Sequence, residues 1–204
     1  RQMSSSATEI KRQDFFSTPI WSTNLSKNNR KERQVSVNDD MITFIRNEIE
    51  KNPEVKTKSN YGGGWQSHTE LYNEPVFKEF GHDIWNICKI IFPHIDGMRI
   101  EQMWAAINFE GSYNLNHAHG SKYDMSGAYY LQVPENSGEI GFRDPRPAAI
   151  NNYFSVWHIE KGEYKWFMPK ESDFMLFPPF VDHCVLPSKS KDPRIMISFD
   201  LKFT

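Results

Sequence analysis

Residues 194–203, R-I-M-I-S-F-D-L-K-F, alternate in character almost without a break. Successive side chains of a β-strand point to opposite faces. Arg194, Met196, Ser198, Asp200 and Lys202 therefore share one face, and Ile195, Ile197, Phe199, Leu201 and Phe203 share the other. A segment of this kind has to sit in a sheet with a core against its apolar side. It closes a series of short runs separated by turn signals, with strands expected at 99–109, 112–119, 126–133, 139–143, 153–159, 173–177, 182–186 and 194–203. That number and spacing predict an antiparallel sandwich or barrel.

The N-terminal half has a different period. Residues 14–25 read as an edge strand interrupted by Pro19. From Asn38 to Lys51 the pattern is helical, with Asn38 or Asp39 as cap and Met41, Phe44, Ile45 and Ile49 on the apolar stripe. A second helix is expected from Pro75 to about Ile91, where Pro93 stops it, with Val76, Phe77, Phe80, Ile84, Trp85, Ile87 and Cys88 inward. Between them, K-S-N-Y-G-G-G-W-Q-S-H-T (58–69) reads as a glycine-rich loop, either a substrate lid or an ordinary surface loop. Two helices followed by eight strands make one α+β domain over 14–204, with residues 1–13 set aside as a frayed or extraneous terminus.

Charge narrows the function classes. Lysine plus arginine number 24 against 26 aspartates plus glutamates, so no strong field invites nucleic acid or acidic lipid. The basic run 27–33 reads as a solvated segment. Two cysteines, Cys88 and Cys184, cannot build a disulfide framework and fit a reducing, cytoplasmic setting. Neither a membrane-spanning segment nor a signal peptide is expected.

The chemistry-bearing residues are histidines. N-H-A-H-G-S-K-Y-D-M-S-G-A-Y-Y (116–130) sets His117 and His119 two residues apart, and F-P-P-F-V-D-H-C-V-L-P (177–187) supplies His183. On one strand His117 and His119 point the same way and can reach one metal, and a neighbouring strand can bring His183 to close the site. Asp182 then points away from that shell. Arg194 follows His183 by eleven residues, and arginine is the side chain best shaped to hold a carboxylate by two parallel hydrogen bonds. A metal triad with a carboxylate clamp suggests an iron enzyme with an organic-acid co-substrate. Arg143, Asp144 and Arg146 read equally as a salt-bridged turn or as a binding rim. Trp104 is expected in the core rather than in the wall of the site, Asn108 and Asn114 in turns rather than bonded to the co-substrate, and His68, His82, His94 and His158 in structural or exposed positions.

Four segments carry a family resemblance. G-S-Y-N-L-N-H-A-H, S-G-A-Y-Y-L, D-H-C-V-L-P and R-I-M-I-S-F, in that order over about 99–203, resemble the Fe(II)- and 2-oxoglutarate-dependent oxygenases. Within that superfamily the likeness is to a bacterial and phage branch with prolyl-hydroxylase-like motifs. The resemblance implies a double-stranded β-helix of jelly-roll or cupin type, supported by the two N-terminal helices. It implies Fe(II) and 2-oxoglutarate as cofactors, His117 and His183 as iron ligands, and Arg194 with Tyr130 holding the distal carboxylate of 2-oxoglutarate. Ser198 shares the face of Arg194 and is a further candidate for the co-substrate. Dioxygen is then the oxidant, and a small molecule or peptide is hydroxylated as 2-oxoglutarate becomes succinate.

One departure stands out. The family pattern places a carboxylate where this chain has His119. His119 itself can ligate, which strand geometry favours; a water or other anion can complete the metal beside it; or Asp124 can swing in. Two rival readings follow: a three-histidine dioxygenase that needs no 2-oxoglutarate, and a non-catalytic β-barrel that keeps its histidines for a structural metal. The cationic Arg194 argues against the first, and a closed shell of four protein ligands would mark the second.

Overall fold

A computed structural model of the chain describes residues 17–26, 31–54, 60–146 and 162–204. In chain order, β1 (Trp21–Asn24), α1 (Lys31–Lys51), β2 (Asn60–Tyr61) and β3 (Trp65–Gln66) are followed by 3-10 turns at Leu71–Asn73 and Pro75–Phe77. Then come α2 (Lys78–Ile91), β4 (Met98–Asn108), β5 (Tyr113–His117), β6 (Met125–Gln132) and β7 (Ile140–Arg143). The chain ends with β8 (Tyr164–Phe167), β9 (Asp173–Phe177), β10 (His183–Val185) and β11 (Arg194–Phe203). Two antiparallel sheets form, in the orders β1-β9-β6-β11-β4-β3 and β2-β5-β10-β7-β8. They face each other as a double-stranded β-helix.

The alternation in β11 decides what lies on each side of the larger sheet. Ile195, Ile197, Phe199 and Leu201 pack with Tyr129, Leu131, Phe174 and Leu176 against Met41, Ile45, Phe80, Ile84 and Cys88 of the helices. The opposite face looks into the space between the sheets, where Met196 meets Ala106, Ala128, Tyr130, Ile140, Phe142, Phe177 and Val185. Gly127 marks a tight place in this wall. A β-carbon there would collide with the ring of Phe199 and lie 2.8 Å from the Met175 carbonyl.

Several sequence expectations shift. Helix α1 starts at Lys31, so Asn38 is not its cap. Asn38 is buried inside the helix, donates to Ser172 Oγ at 3.2 Å and accepts the Tyr129 hydroxyl at 2.8 Å. The expected glycine-rich loop contains two short strands instead. β2 joins the edge of one sheet beside β5 and β3 joins the other beside β4, with Gly62 and Gly63 turning between them at φ 69° and 84°. Trp65 is buried there and its indole N–H donates to the Asn52 carbonyl at 2.7 Å, so this corner is pinned to the end of α1. Strand β8 was not foreseen, and the strand expected at 153–159 lies outside the described residues. Both Cys88 and Cys184 are free. Among the described residues, no helix is long and apolar enough to cross a membrane.

Candidate metal centre

The three histidines converge from β5, the loop after it, and β10. Their candidate ligand atoms all lie within 4.8 Å of one another. His117 and His183 are opposite each other across the β5–β10 ladder. Their register slips by one residue: Val185 pairs with Asn114 and His183 with His117, so three steps along β5 match two along β10. Such a bulge re-aims the side chains beyond it. Without it, Asn114 and His117 would face opposite ways; with it, both line the interior.

Backbone carbonyls then fix the rings. His117 Nδ1 lies 2.7 Å from the Leu115 carbonyl oxygen and His183 Nδ1 lies 3.0 Å from that of Val181. A carbonyl oxygen can only accept, so Nδ1 carries the proton in both and Nε2 presents a free lone pair. Burial holds the His183 imidazole neutral well below its ordinary range, with the neighbouring His117 and His119 adding to the effect. Burial is also the main cause of a lowered His117. Neutral imidazoles are the form that binds metal.

His119 arrives by a route the strand argument did not foresee. β5 ends at His117, and His119 lies in the loop beyond it, where its N–H donates to the Pro179 carbonyl at 2.9 Å. Its Nδ1 lies 2.6 Å from Asp200 Oδ1, and the same oxygen accepts the Ser126 hydroxyl at 2.6 Å. Asp124 does not compete for the site. Its carboxylate accepts from Lys202 Nζ at 2.8 Å and from the Phe203 N–H at 2.7 Å. Asp182 is turned outward, 3.9 Å from Arg143. Arg143 also pairs with Glu163 at 2.6 Å and Arg146 with Asp144 at 2.5 Å, the ion pairs of a salt-bridged turn.

Two spaces meet at the triad. Outside is a groove of about 1070 Å³ whose walls include Lys51, Gln66, His68, Trp104, Lys122 and Tyr123. Trp104 is therefore a wall of the site and not core, its ring centroid 5.7 Å from that of His119. Inside is a small, partly open cavity of about 40 Å³ lined by Asn114, Ile140, Phe177, Val185, Met196 and Ser198, with His117, His119 and His183 at its outer end.

Beyond Met196, polar atoms gather without partners among the described residues. Arg194 is fully buried at the start of β11, and among the described residues only its Nη1 is paired, donating to the Gly138 carbonyl at 2.9 Å. Arg194 Nε and Nη2, Tyr130 Oη, Ser137 Oγ and Asn108 Oδ1 are buried with no hydrogen-bond partner among the described residues. They belong together. The guanidinium carbon is 5.9 Å from the Tyr130 ring, Asn108 is the cross-strand partner of Arg194, and Ser137 adjoins Gly138. Burial raises the Tyr130 phenol to about 12 and lowers the Arg194 guanidinium. Buried polar groups are rarely left unpaired, and Nε with Nη2 is an edge of guanidinium that grips a carboxylate bidentately. The cluster fits a dicarboxylate's far end, and the three free imidazole nitrogens fit a divalent metal. Ser198 lines the cavity between them. Asn108 is not in a turn but on β4, donating to Asn114 Oδ1 at 3.2 Å. Sequence reasoning missed Ser137 and Asp200 as members of the site. The interior-facing period of β11 was the available signal for Asp200, and none pointed to Ser137.

Comparison with known proteins agrees with this geometry. Residues 102–200 match the family model described as "Putative 2OG-Fe(II) oxygenase". No curated protein sequence matches the chain. Among solved structures, a viral collagen prolyl hydroxylase from Paramecium bursaria Chlorella virus-1, in complex with 2OG, is similar at TM-score 0.58 and 15% identity, over 89% of this chain and 94% of that one. A Pseudomonas putida prolyl-4-hydroxylase aligns at TM-score 0.62 and 11% identity, over 91% and 92% of the two chains. The α-ketoglutarate-dependent epimerase SnoN of nogalamycin biosynthesis aligns at TM-score 0.65 and 10% identity, over 90% and 76%. At these identities the likeness is one of fold.

Proposed function

We propose that this protein, whose residues 102–200 match the oxygenase family model, is an Fe(II)- and 2-oxoglutarate-dependent hydroxylase acting on a peptide, an amino acid or another small substrate. In this reading His117, His119 and His183 hold Fe(II) through Nε2, and Arg194, Tyr130 and Ser198 hold 2-oxoglutarate, with Ser137 beside them. The observation that carries it is a pairing of two unmet demands: free imidazole nitrogens at the mouth of the inner cavity, and, behind the Met196 that lines it, an unpaired guanidinium edge two residues away on the same face of β11.

When bound together, Fe(II) and 2-oxoglutarate activate dioxygen, and the co-substrate leaves as succinate and carbon dioxide. The chain's own residues bind, orient and exclude water. Arg194 fixes one carboxylate from a site without solvent, where charge-assisted hydrogen bonds count for most. Tyr130, with its phenol raised to about 12, stays protonated at neutral pH and donates. The inner cavity has room for only a few waters, so the co-substrate has to displace them and turn Met196 aside. A thioether side chain adapts readily to that. Trp104 shields the triad on the groove side.

The outer groove, at the upper end of ordinary ligand pockets, favours a substrate that extends beyond the reacting carbon. Two free thiols support a reducing, cytoplasmic setting. A three-histidine dioxygenase that dispenses with 2-oxoglutarate would leave the Arg194 cluster without purpose. Turnover tests the proposal: substrate-stimulated release of succinate from 2-oxoglutarate, with mass gain of one oxygen on a substrate peptide, is expected. Succinate formation with substrate desaturated, epimerised or cyclised instead would overturn the hydroxylase assignment.

A further inference from the structure

We propose that Asp200, held by Ser126, is the positioning residue that lets His119 take the place of the family's carboxylate, returning the missing negative charge one hydrogen bond behind the metal ligand. This inference rests on the reading of His119 as a ligand. His119 sits in a loop, so no strand geometry fixes its ring; the backbone bond to Pro179 fixes only the main chain. Asp200 supplies what the loop does not. It shares the interior-facing side of β11 with Arg194, Met196 and Ser198, is 1% exposed, and takes the His119 ring N–H at 2.6 Å. That bond leaves Nε2 unprotonated and aimed at His117 and His183. The Ser126 hydroxyl, on the same oxygen, fixes the carboxylate in turn.

Asp200 also acts through its charge, separately from the orientation it imposes. Two imidazoles and a carboxylate carry one negative charge among the ligands of the usual site, and three neutral imidazoles carry none. A carboxylate behind a ligating histidine raises the basicity of the ring and fixes its tautomer. Asp200 is buried, and among the described residues its ion-pair partner is His119 and not a lysine or arginine. A buried carboxylate without a cation is costly, and a divalent metal on the far side of His119 provides that cation. Ser126 opens the S-G-A-Y-Y segment whose Tyr130 reaches the co-substrate cluster, so one strand serves both ends of the site.

The test is metal affinity of the full-length apoprotein, measured anaerobically with Fe(II) and separately with Co(II) against a chromophoric chelator. Asp200→Asn is expected to raise Kd about 10–100-fold. Ser126→Ala, which keeps the carboxylate and removes one hydrogen bond, is expected to raise it about 3–10-fold. In a His119→Ala background the same Asp200→Asn change is expected to add less than about twofold, because its route to the metal is gone. Proton NMR of the Co(II) protein gives a readout free of activity: three exchangeable ring N–H resonances in the native chain, one of them lost in His119→Ala and shifted or lost in Asp200→Asn. If His119→Ala weakens metal binding and Asp200→Asn does not, Asp200 has no positioning role while the ligand assignment stands. If His119→Ala leaves Kd unchanged, the ligand assignment itself fails. Should Asp200→Asn not fold, Ser126→Ala decides, and an unchanged Kd with unchanged ring N–H resonances refutes the inference.

Discussion

Replacing Arg194 by methionine should make the protein more stable and less able to bind its co-substrate. The guanidinium is fully buried, has one paired nitrogen and forms no ion pair among the described residues. Exchanging a buried charge of this kind for an apolar side chain of similar length typically gains about 1–4 kcal/mol. Loss of the Gly138 hydrogen bond returns about 1 kcal/mol of that. For a chain of this size the remainder is a rise in the apoprotein Tm of a few to about ten degrees. The effect on 2-oxoglutarate runs the other way. Nε and Nη2 together offer two charge-assisted hydrogen bonds at about 1.5–3 kcal/mol each, so about 3–6 kcal/mol is lost, or roughly 10²–10⁴-fold in Kd. Calorimetric titration of metal-loaded protein under anaerobic conditions reads the second number, and a thermal melt of metal-free protein reads the first. A variant that melts lower than the native protein and binds 2-oxoglutarate as tightly would show that Arg194 is a structural cation and not an anchor.

Other consequences can be checked with the same material. Tyr130→Phe and Ser137→Ala should each weaken 2-oxoglutarate about 3–20-fold while leaving metal affinity unchanged, and a change in metal affinity instead would displace both from the co-substrate cluster. Burial holds His117 and His183 below the ordinary imidazole value of 6.5, so the folded metal-free chain binds fewer protons than the unfolded chain in mild acid. Its stability should therefore be intact above pH 6.5 and fall as the pH drops below it, by at most about 1.4 kcal/mol per pH unit for each histidine; denaturant midpoints that stay flat from pH 7 to pH 5 would contradict this. At the alkaline end the buried Tyr130 phenol, raised to about 12, stays neutral while the unfolded side chain ionises from about 10 upward. Stability should decline across that interval, with the buried Cys88 thiol, also pushed up to about 12, adding to the fall, and Tyr130→Phe should make the decline shallower. Gly127→Ala should cost about 2–4 kcal/mol, because the new methyl meets the Phe199 ring and the Met175 carbonyl from a packed face, and a melt unchanged from the native protein would refute it.

What the sequence made legible was whatever follows a fixed period. The alternation from Arg194 to Phe203 gave both faces of β11 before any contact was known, and the helical stripe gave Met41, Ile45, Phe80 and Ile84 their places against them. Features set by a break in period were not legible. The bulge that turns His117 inward depends on a one-residue slip against β10, and nothing in N-L-N-H announces it. His119 was brought into the site by strand geometry in the sequence reading, whereas a loop and the distant Asp200 bring it there. Asn38 looked like a cap because a polar residue preceded an apolar stripe, yet the helix extends past it and its amide serves a tertiary bond to Ser172. Ser137 lies between strands, in a segment with no periodic signal, and only the closed fold sets it beside Arg194.

Three imidazoles and Arg194 are proposed to assemble one iron and one 2-oxoglutarate in a single site. Anaerobic titration of the Fe(II)-loaded protein with 2-oxoglutarate, followed in the visible range, measures that directly. The expected result is a weak charge-transfer band that saturates at one 2-oxoglutarate per iron in the native chain and is lost or sharply weakened in His119→Ala. A protein that demonstrably holds one iron and gives no such band with excess 2-oxoglutarate would contradict it.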